Sequence, residues 1–360
     1  MFFIKDLKLQ NFRSHSFLDL QIVNDIVCIV GPNSIGKTSI LEALSLITDK
    51  KGLKASDASD VIKKNSKEKT IISSIINLEN KDFKIDIFFE TKYLQVKKNF
   101  LLDNNKSPKS MEQLNNCSFI WLTPQMDKIM YEGNSLKRKF FDKMLSNYDH
   151  NYKINLNEFK KMSDERIILL KDNKEKKWLD ILEEKMTENL WHIYVCRRNI
   201  IKELNNILSK NLLNFLQILI TIENNYDLED IDKKNFYYFF TKKFFEKREL
   251  DTILKRNSVG PQFDNFILTN RETNLNSDLC STGEQKKILI SLILSFIILN
   301  KHKNNHSILL FDEIASHIDG KNLELFFNEI KKIGMQTWFT GTDKKLFQVI
   351  ENKAFFVELY

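Results

Sequence analysis

Residues Gly31, Pro32, Asn33, Ser34, Ile35, Gly36, Lys37 and Thr38, followed by Ser39, satisfy the spacing GxxxxGK[ST]. A glycine-bearing turn that opens a helix aims backbone N–H groups outward at the positive end of the helix dipole, which suits phosphate oxygens. In that setting Lys37 reaches the β- and γ-phosphates of a nucleoside triphosphate such as ATP, and the Thr38 hydroxyl holds Mg²⁺. A turn that merely capped a helix would need neither side chain.

Two acids stand far downstream, at the end of the apolar stretch "HSILLFDEIASHID". Asp312, at the tip of a strand, would complete the Mg²⁺ shell, as the acid of a second nucleotide motif does. Glu313 follows it and would point to the other face of the strand end, placed to polarise an attacking water. Exposed acids at a strand end are common, so the pair gains its meaning from the phosphate loop in the same chain. A third segment, Ser281-Thr282-Gly283-Glu284-Gln285, reads locally as a capping box, with Ser281 as N-cap and Glu284 three residues on. A serine hydroxyl and a glycine amide at a helix start also make a second anion site, and the two readings are compatible.

The elements that must position these residues are visible in the patterning. "DIVCIV" is a short, wholly apolar run that feeds the loop, as expected of a strand buried on both faces, and "TSILEALSLI" follows it as a helix. "FFIKDLKLQNF" alternates, placing Phe3, Leu7 and Leu9 near one face. "TIISSIINLEN", "KDFKIDIFFE" and "YLQVKKNF" read as a meander of antiparallel strands. From Leu136 to Arg256 glycine and proline vanish and apolar residues recur at three and four, which predicts a compact helical block without sustained heptads. Strand character returns with "FDNFILTN", "SILLFDE", "TWFTGTD" and "AFFVELY". The expected organisation is the N-terminal part of a head at 1–135, an inserted helical subdomain at 136–256 and the C-terminal part of the head at 257–360.

A chain of 360 residues exceeds the roughly 250–300 at which single cores stop growing, in keeping with two subdomains. The apolar fraction of 42% and charged fraction of 29% exclude a disordered chain. The net charge of +7 is compatible with a polyanionic partner, although lysines on solvated surfaces account for much of it. Cys28, Cys117, Cys196 and Cys280 are scattered singly, so a reducing cytoplasm and no structural zinc are expected. Charges interrupt the apolar N-terminal stretch, which argues against a signal peptide. The longest apolar run, Ile288 to Leu299, is about half a membrane span, so no membrane association is expected.

The order of the motifs resembles an ABC-type ATPase head of the SMC-like class, and within that class the RecF family of bacterial recombination mediators. The resemblance rests on "LQNFRSH", "VGPNSIGKTSILEAL", "WLTPQMDKIMYEGNSLKRKFFD", "SVGPQFDNFIL", "LCSTGEQKKILISL", "LLFDEIASHID" and "WFTGTD", in order over nearly the whole chain. The mid-chain block, with its basic pair Arg138-Lys139, is the most diagnostic. The implied fold is α/β, an ABC-type P-loop ATPase head with an antiparallel β-meander and an inserted all-helical subdomain. The resemblance further implies that the signature Ser281–Gln285 of one protomer, chiefly Ser281 and Gly283, closes on ATP held by the other. Asp319 would then lie at the dimer interface, Arg13 would approach the phosphates, and Gln125 would sense Mg²⁺ and water. Departures from the family pattern are Ser34 and Phe141, where glycine and leucine are usual, and "GPQFDN" in place of Gly-Pro-His-Arg-Asp-Asp. Thr342 and Asp343 stand where transporter ATPases place a switch histidine, and His317 lies in the wrong motif to replace it.

The implied function is an ATP-dependent DNA-binding clamp: an ATP-dependent homodimer that holds double-stranded DNA near single-strand gaps. It would assist recombinase loading with mediators of the RecO/RecR type, serve fork maintenance and the SOS response, and release DNA on slow, DNA-stimulated hydrolysis. Lys63, Lys64, Lys67, Lys69, Arg197 and Arg198 are candidate phosphate contacts, with solvated surface as the competing reading for each. The nucleotide-binding subunit of a membrane transporter is the alternative, opposed by the helical insertion and by Ile314 where proline is usual. Missing heptads and a missing CxxC hook oppose a long-armed chromosome ATPase. Intact Lys37, Thr38, Asp312 and Glu313 oppose a scaffold with decayed hydrolysis.

Overall fold

The apolar alternation of the first strand slips by one residue. β1 (Phe2–Phe12) buries Phe2 and Ile4, then Leu7 and Leu9, because a bulge between Ile4 and Asp6 moves the side-chain parity across Lys5. Phe3 is therefore half-buried on the opposite parity and does not share a face with Leu7 and Leu9. The bulge is held by Gln336, whose side-chain amide accepts from Ile4 N–H at 2.8 Å and donates to Ile4 C=O at 3.0 Å. The computed structural model describes residues 2–48, 52–53, 58–63, 69–92, 95–105, 114, 117–171, 176–210, 216–224, 226, 231–303, 306–314, 318 and 320–360.

The chain forms two compact units, Met1–Asp127 with Ile297–Tyr360, and Lys128–Phe296. In the first unit, β1 lies between β2 (His15–Gln21) and β4 (Thr70–Leu78), and β5 (Lys81–Lys92) and β6 (Gln95–Leu102) complete an antiparallel sheet of order β2-β1-β4-β5-β6. The expected meander is present. A second, parallel sheet has the order β12-β3-β11-β10-β7, from β3 (Ile26–Val30), β7 (Cys117–Leu122), β10 (His306–Phe311), β11 (Thr337–Gly341) and β12 (Ala354–Glu358). Every residue of β3 is buried, as a strand with paired neighbours and covered faces requires. α1 (Lys37–Ser45) follows it, and Ile40, Leu41 and Leu44 join Leu7, Leu9, Ile72 and Val27 in one continuous core.

The second unit contains α2 (Asn134–Tyr148), α3 (His150–Lys171), α4 (Lys176–Ser209), α5 (Lys233–Glu246) and α6 (Arg248–Leu254). It is not all-helical. β8 (Ile218–Glu223) pairs antiparallel with β9 (Asn265–Asn270), so "FDNFILTN" completes a small ribbon in this unit and does not return the chain to the parallel sheet. β8 buries Ile218 and Ile220 while exposing Thr221, a period of two lodged at the end of a run read as helical. The expected insertion at 136–256 lies wholly inside this unit, which also takes in 257–296 and with it the start of α7 (Thr282–His302). The unit's interior is polar as well as aromatic. Arg166, fully buried, donates to Glu183 at 2.8 Å, Asp251 at 2.6 Å and the Phe244 carbonyl at 2.7 Å, while Phe141 stacks on Phe266 at 4.2 Å. A buried guanidinium persists only with such full pairing.

Candidate active site

The parallel sheet delivers three segments to one edge, because β3, β10 and β7 run in the same direction and end together. From the end of β3 the chain turns through Gly31–Gly36 into α1. Gly36 is the N-cap at φ 109°, and a Cβ there would stand 2.4 Å from Ser14 Oγ and 2.6 Å from His15 Nε2, so glycine is required both conformationally and sterically. His15 Nε2 lies 3.0 Å from the Gly36 carbonyl. Ser34 adopts φ 67°, the left-handed conformation that the usual glycine would take without cost. Pro32, Asn33 and Ser34 are exposed, Ile35 is half-buried, and Ser39 is buried in the first turn of α1.

Lys37 is itself buried, and its ammonium donates to the carbonyls of Gly31 and Pro32, each at 2.8 Å. The lysine thus folds the loop back over its own helix start. One residue on, Thr38 Oγ1 donates toward the Asp312 carboxylate, at 3.0 Å from Oδ1 and 2.9 Å from Oδ2. The two expected Mg²⁺ ligands, 274 residues apart in sequence, are in direct contact. Asp312 is placed by its N–H, which donates to the Leu122 carbonyl at the end of β7 at 2.9 Å. Thr340 was not among the expected site residues and is central. Its buried hydroxyl donates to Asp312 Oδ1 at 2.7 Å and accepts from the Glu313 N–H at 2.8 Å. Glu313 has φ 48°, a left-handed turn directly after the strand that keeps its residue half-exposed beside the buried Asp312. One sequence signal for Thr340 existed: a hydroxyl between the apolar pair Trp338-Phe339 and Gly341.

Gln125 is exposed in the helical turn Pro124–Met130 that follows β7. Arg13 is held by Glu42, an ion pair in which Nη2 donates to Oε1 at 2.6 Å and in which the glutamate is wholly buried on α1. The structure therefore places the Arg13 charge on a carboxylate of the helix that follows the loop. Asp319 lies outside the described residues, as do His317, Lys64 and Lys67. Among the described candidate phosphate contacts, Lys69 pairs with Glu90 at 2.9 Å. Arg197 is 1% exposed and bonded to Asp142, Asp264, Tyr152 and the Pro261 carbonyl, so it is an interior strut of the second unit and not a surface contact for DNA.

In the second unit, Ser281–Glu284 form the capping box in full. Ser281 Oγ donates to Glu284 Oε2 at 2.6 Å, the Ser281 N–H donates to the same oxygen at 2.9 Å, and the Glu284 N–H points back at Ser281 Oγ at 3.4 Å. These bonds hold the Glu284 carboxyl below its ordinary value. Gln285 is buried, its amide donating to the Ser277 carbonyl at 2.9 Å, so it belongs to the internal support of the segment. Ser281, Thr282 and Gly283 are exposed, and a Cβ built on Gly283 meets nothing within 4 Å. Among the described residues nothing requires glycine at that position.

Comparison with known proteins settles the family. The model of the RecF/RecN/SMC N terminal domain matches residues 3–357. A DNA replication and repair protein RecF of Rickettsia felis is 30% identical over 364 residues, covering 99% of this chain and 98% of that protein. The chain belongs to the RecF family. The RecF of Rickettsia conorii is likewise 30% identical to this RecF-family chain, with 99% of each chain covered. A solved structure of the recombination mediator protein RecF-ATPrS in the RecFOR pathway superposes with a TM-score of 0.85 at 24% identity, covering 100% of this chain and 96% of that one. The Smc head domain of Pyrococcus furiosus gives 0.54 at 16% identity. The fold is that of an ABC-type ATPase head. No helix among the described residues is long and apolar enough to cross a membrane.

Proposed function

We propose that the chain is an ATP-dependent DNA-binding protein of recombinational repair and replication, whose two heads close on ATP and open after hydrolysis. The observation that carries this reading is the contact of Thr38 with Asp312, clamped by Thr340, one residue from Lys37 on a preformed phosphate loop. The RecF relatives and the RecF-ATP structure, 23% identical with a TM-score of 0.83, support it.

A hydroxyl and a carboxylate 2.9–3.0 Å apart are hard oxygen donors of the kind Mg²⁺ takes, with phosphate oxygens and water as its other ligands. Among the described residues no cluster of three His, Cys, Asp or Glu offers a dedicated cage, in keeping with a metal held largely by its substrate. When bound there, Mg²⁺ would neutralise charge on the β- and γ-phosphate oxygens. The remaining chemistry belongs to the chain. Lys37 exchanges its two loop carbonyls for phosphate oxygens, the exposed amides of Asn33 and Ser34 join it, and Glu313 orients the attacking water as general base. Thr340 fixes Asp312 and the Glu313 backbone in one geometry.

Ser281 and Gly283 act on the ATP of a second copy, with Asp319 at that interface. The open space at Gly283 among the described residues supports the assignment, since it leaves the helix start free to approach a phosphate held by a second copy. The dimer holds double-stranded DNA near gaps, acts with RecO/RecR-type mediators in recombinase loading and the SOS response, and hydrolyses ATP slowly with stimulation by DNA. Sedimentation of wild type, Lys37→Met, Ser281→Arg and Glu313→Gln, with and without ATP and gapped duplex, tests the scheme. Glu313→Gln should form a persistent ATP-dependent dimer, and Ser281→Arg should bind ATP yet remain monomeric. Normal dimerisation of Ser281→Arg would refute action in trans, and DNA affinity insensitive to salt would refute binding through the phosphate backbone.

A further inference from the structure

Two family-like blocks that the nucleotide site leaves unused, "NSLKRKFFD" and "GPQFDN", meet in the second unit at a cavity of about 760 Å³. Ser135, Arg138 and Lys139 of α2 line it from one side, and Pro261 and Gln262 from another. The long wall is α3, where Leu156, Phe159, Lys160, Ser163, Ile167 and Ile168 recur at three- and four-residue spacing along one helical face. Its floor is apolar. Leu156 and Phe159 are buried, while Ile168 is 58% exposed. α6 packs on α3 and ends in Ile253 and Leu254, both exposed, directly before Lys255 and Arg256 at the cavity's rim. Lys139, Lys160, Lys255 and Arg256 are all exposed, against Asp164 and an Asp142 already bonded to Arg197. The result is an apolar slot with a cationic rim, of a size that admits several side chains of a short peptide.

We propose that this cavity is a docking site for an acidic peptide segment of a partner protein, anchored by an apolar side chain on Ile168 and Leu156 and steered by the Lys139, Lys160, Lys255 and Arg256 charges. The complementarity argues for that occupant. A carboxylate-bearing segment satisfies the rim, and only a segment that also carries an aliphatic or aromatic residue covers the floor. Nucleic acid fits less well. Single strands bind on exposed aromatic faces, yet the aromatic ring among the lining residues is Phe159, 2% exposed and seated where a Cβ on Gly260 would stand 2.6 Å from it. A duplex needs a row of cations that tracks a backbone, and here the cations ring a hole.

Fluorescence polarisation on the full chain tests this. The probes are labelled hexapeptides with two aspartates on each side of Leu-Phe, the same peptides with Ser-Ser at the apolar positions, and a single-stranded oligonucleotide. Saturable, salt-sensitive binding of the Leu-Phe probe is expected, at least about tenfold tighter than of the Ser-Ser probe. Ile168→Glu and the Lys139→Glu/Arg256→Glu pair should each weaken it by about tenfold or more, with unchanged ATP turnover as proof of an intact fold. Absence of saturable binding up to about 1 mM, or variants that bind like wild type, would overturn the proposal. So would an oligonucleotide that binds more tightly than the peptide and responds to the charge reversal but not to Ile168→Glu.

Discussion

Replacing Gly283 by alanine should strengthen the isolated chain and weaken its ATP-dependent dimer. Gly283 is the second residue of α7, its φ is not in the left-handed region, and a Cβ meets no atom within 4 Å. Removing a glycine from a compatible helical position gains about 0.4–1 kcal/mol, mostly by restricting the unfolded chain. Thermal unfolding of the nucleotide-free protein should therefore rise by about 1–3 °C. The same methyl, pressed against a phosphate of a second copy, is an overpacked contact that costs typically about 1–3 kcal/mol. A symmetric dimer carries it twice, so the dimerisation constant should fall by about 30-fold to 10⁴-fold while ATP binding to the monomer is retained. Differential scanning fluorimetry and sedimentation velocity with ATP separate the two effects. Intact dimerisation of Gly283→Ala would refute the reasoning about the interface, and a loss of monomer stability would show that the glycine answers to a neighbour within its own chain.

Thr340→Val keeps the side chain's shape but removes both hydroxyl bonds, leaving the Glu313 N–H and Asp312 Oδ1 short of a partner; chemical denaturation should show a loss of about 1–3 kcal/mol. Steady-state ATP turnover of that variant should fall by roughly tenfold or more, since both acid-bearing residues lose their common anchor. Ser34→Gly relieves a left-handed serine worth roughly 1–2 kcal/mol, offset by about 0.5–1 kcal/mol of added chain freedom, so a small net gain in melting temperature is expected. The capping box should weaken in acid. Glu284's carboxyl is held below its ordinary value in the fold, so its contribution is complete above the unfolded value, roughly pH 4, and is lost as pH falls through the depressed folded value. Hydrogen exchange at the Ser281 amide should accelerate over that interval relative to amides in the middle of α7.

Much of the head was legible because its chemistry is local. The phosphate loop announces itself by spacing, β3 by an unbroken apolar run, and the meander by alternation. The readings that failed depended on contacts distant in sequence. Phe3 lost its place to a bulge bonded to Gln336, more than three hundred residues away. β8 could be seen as a strand only through β9, and Arg197 looked like a surface cation until Asp142, Asp264 and Tyr152 closed around it. Thr340 escaped notice because a buried threonine in a strand is ordinary until the two residues it bridges are known.

The strand order of the parallel sheet also dictates when the phosphate loop can exist during synthesis. β3 is flanked on both edges by β11 and β12, so both of its partners are translated after the entire second unit. At typical elongation rates the five apolar residues of β3 wait on the order of 15–60 s without a sheet to join. An unpaired apolar edge of that kind is an aggregation hazard, and the nascent chain is exposed to it for longest when the ribosome is slow. Ribosome-bound chains halted before Thr337 should therefore bind chaperones through residues 26–30, and should be unable to retain nucleotide however complete their Gly31–Thr38 loop.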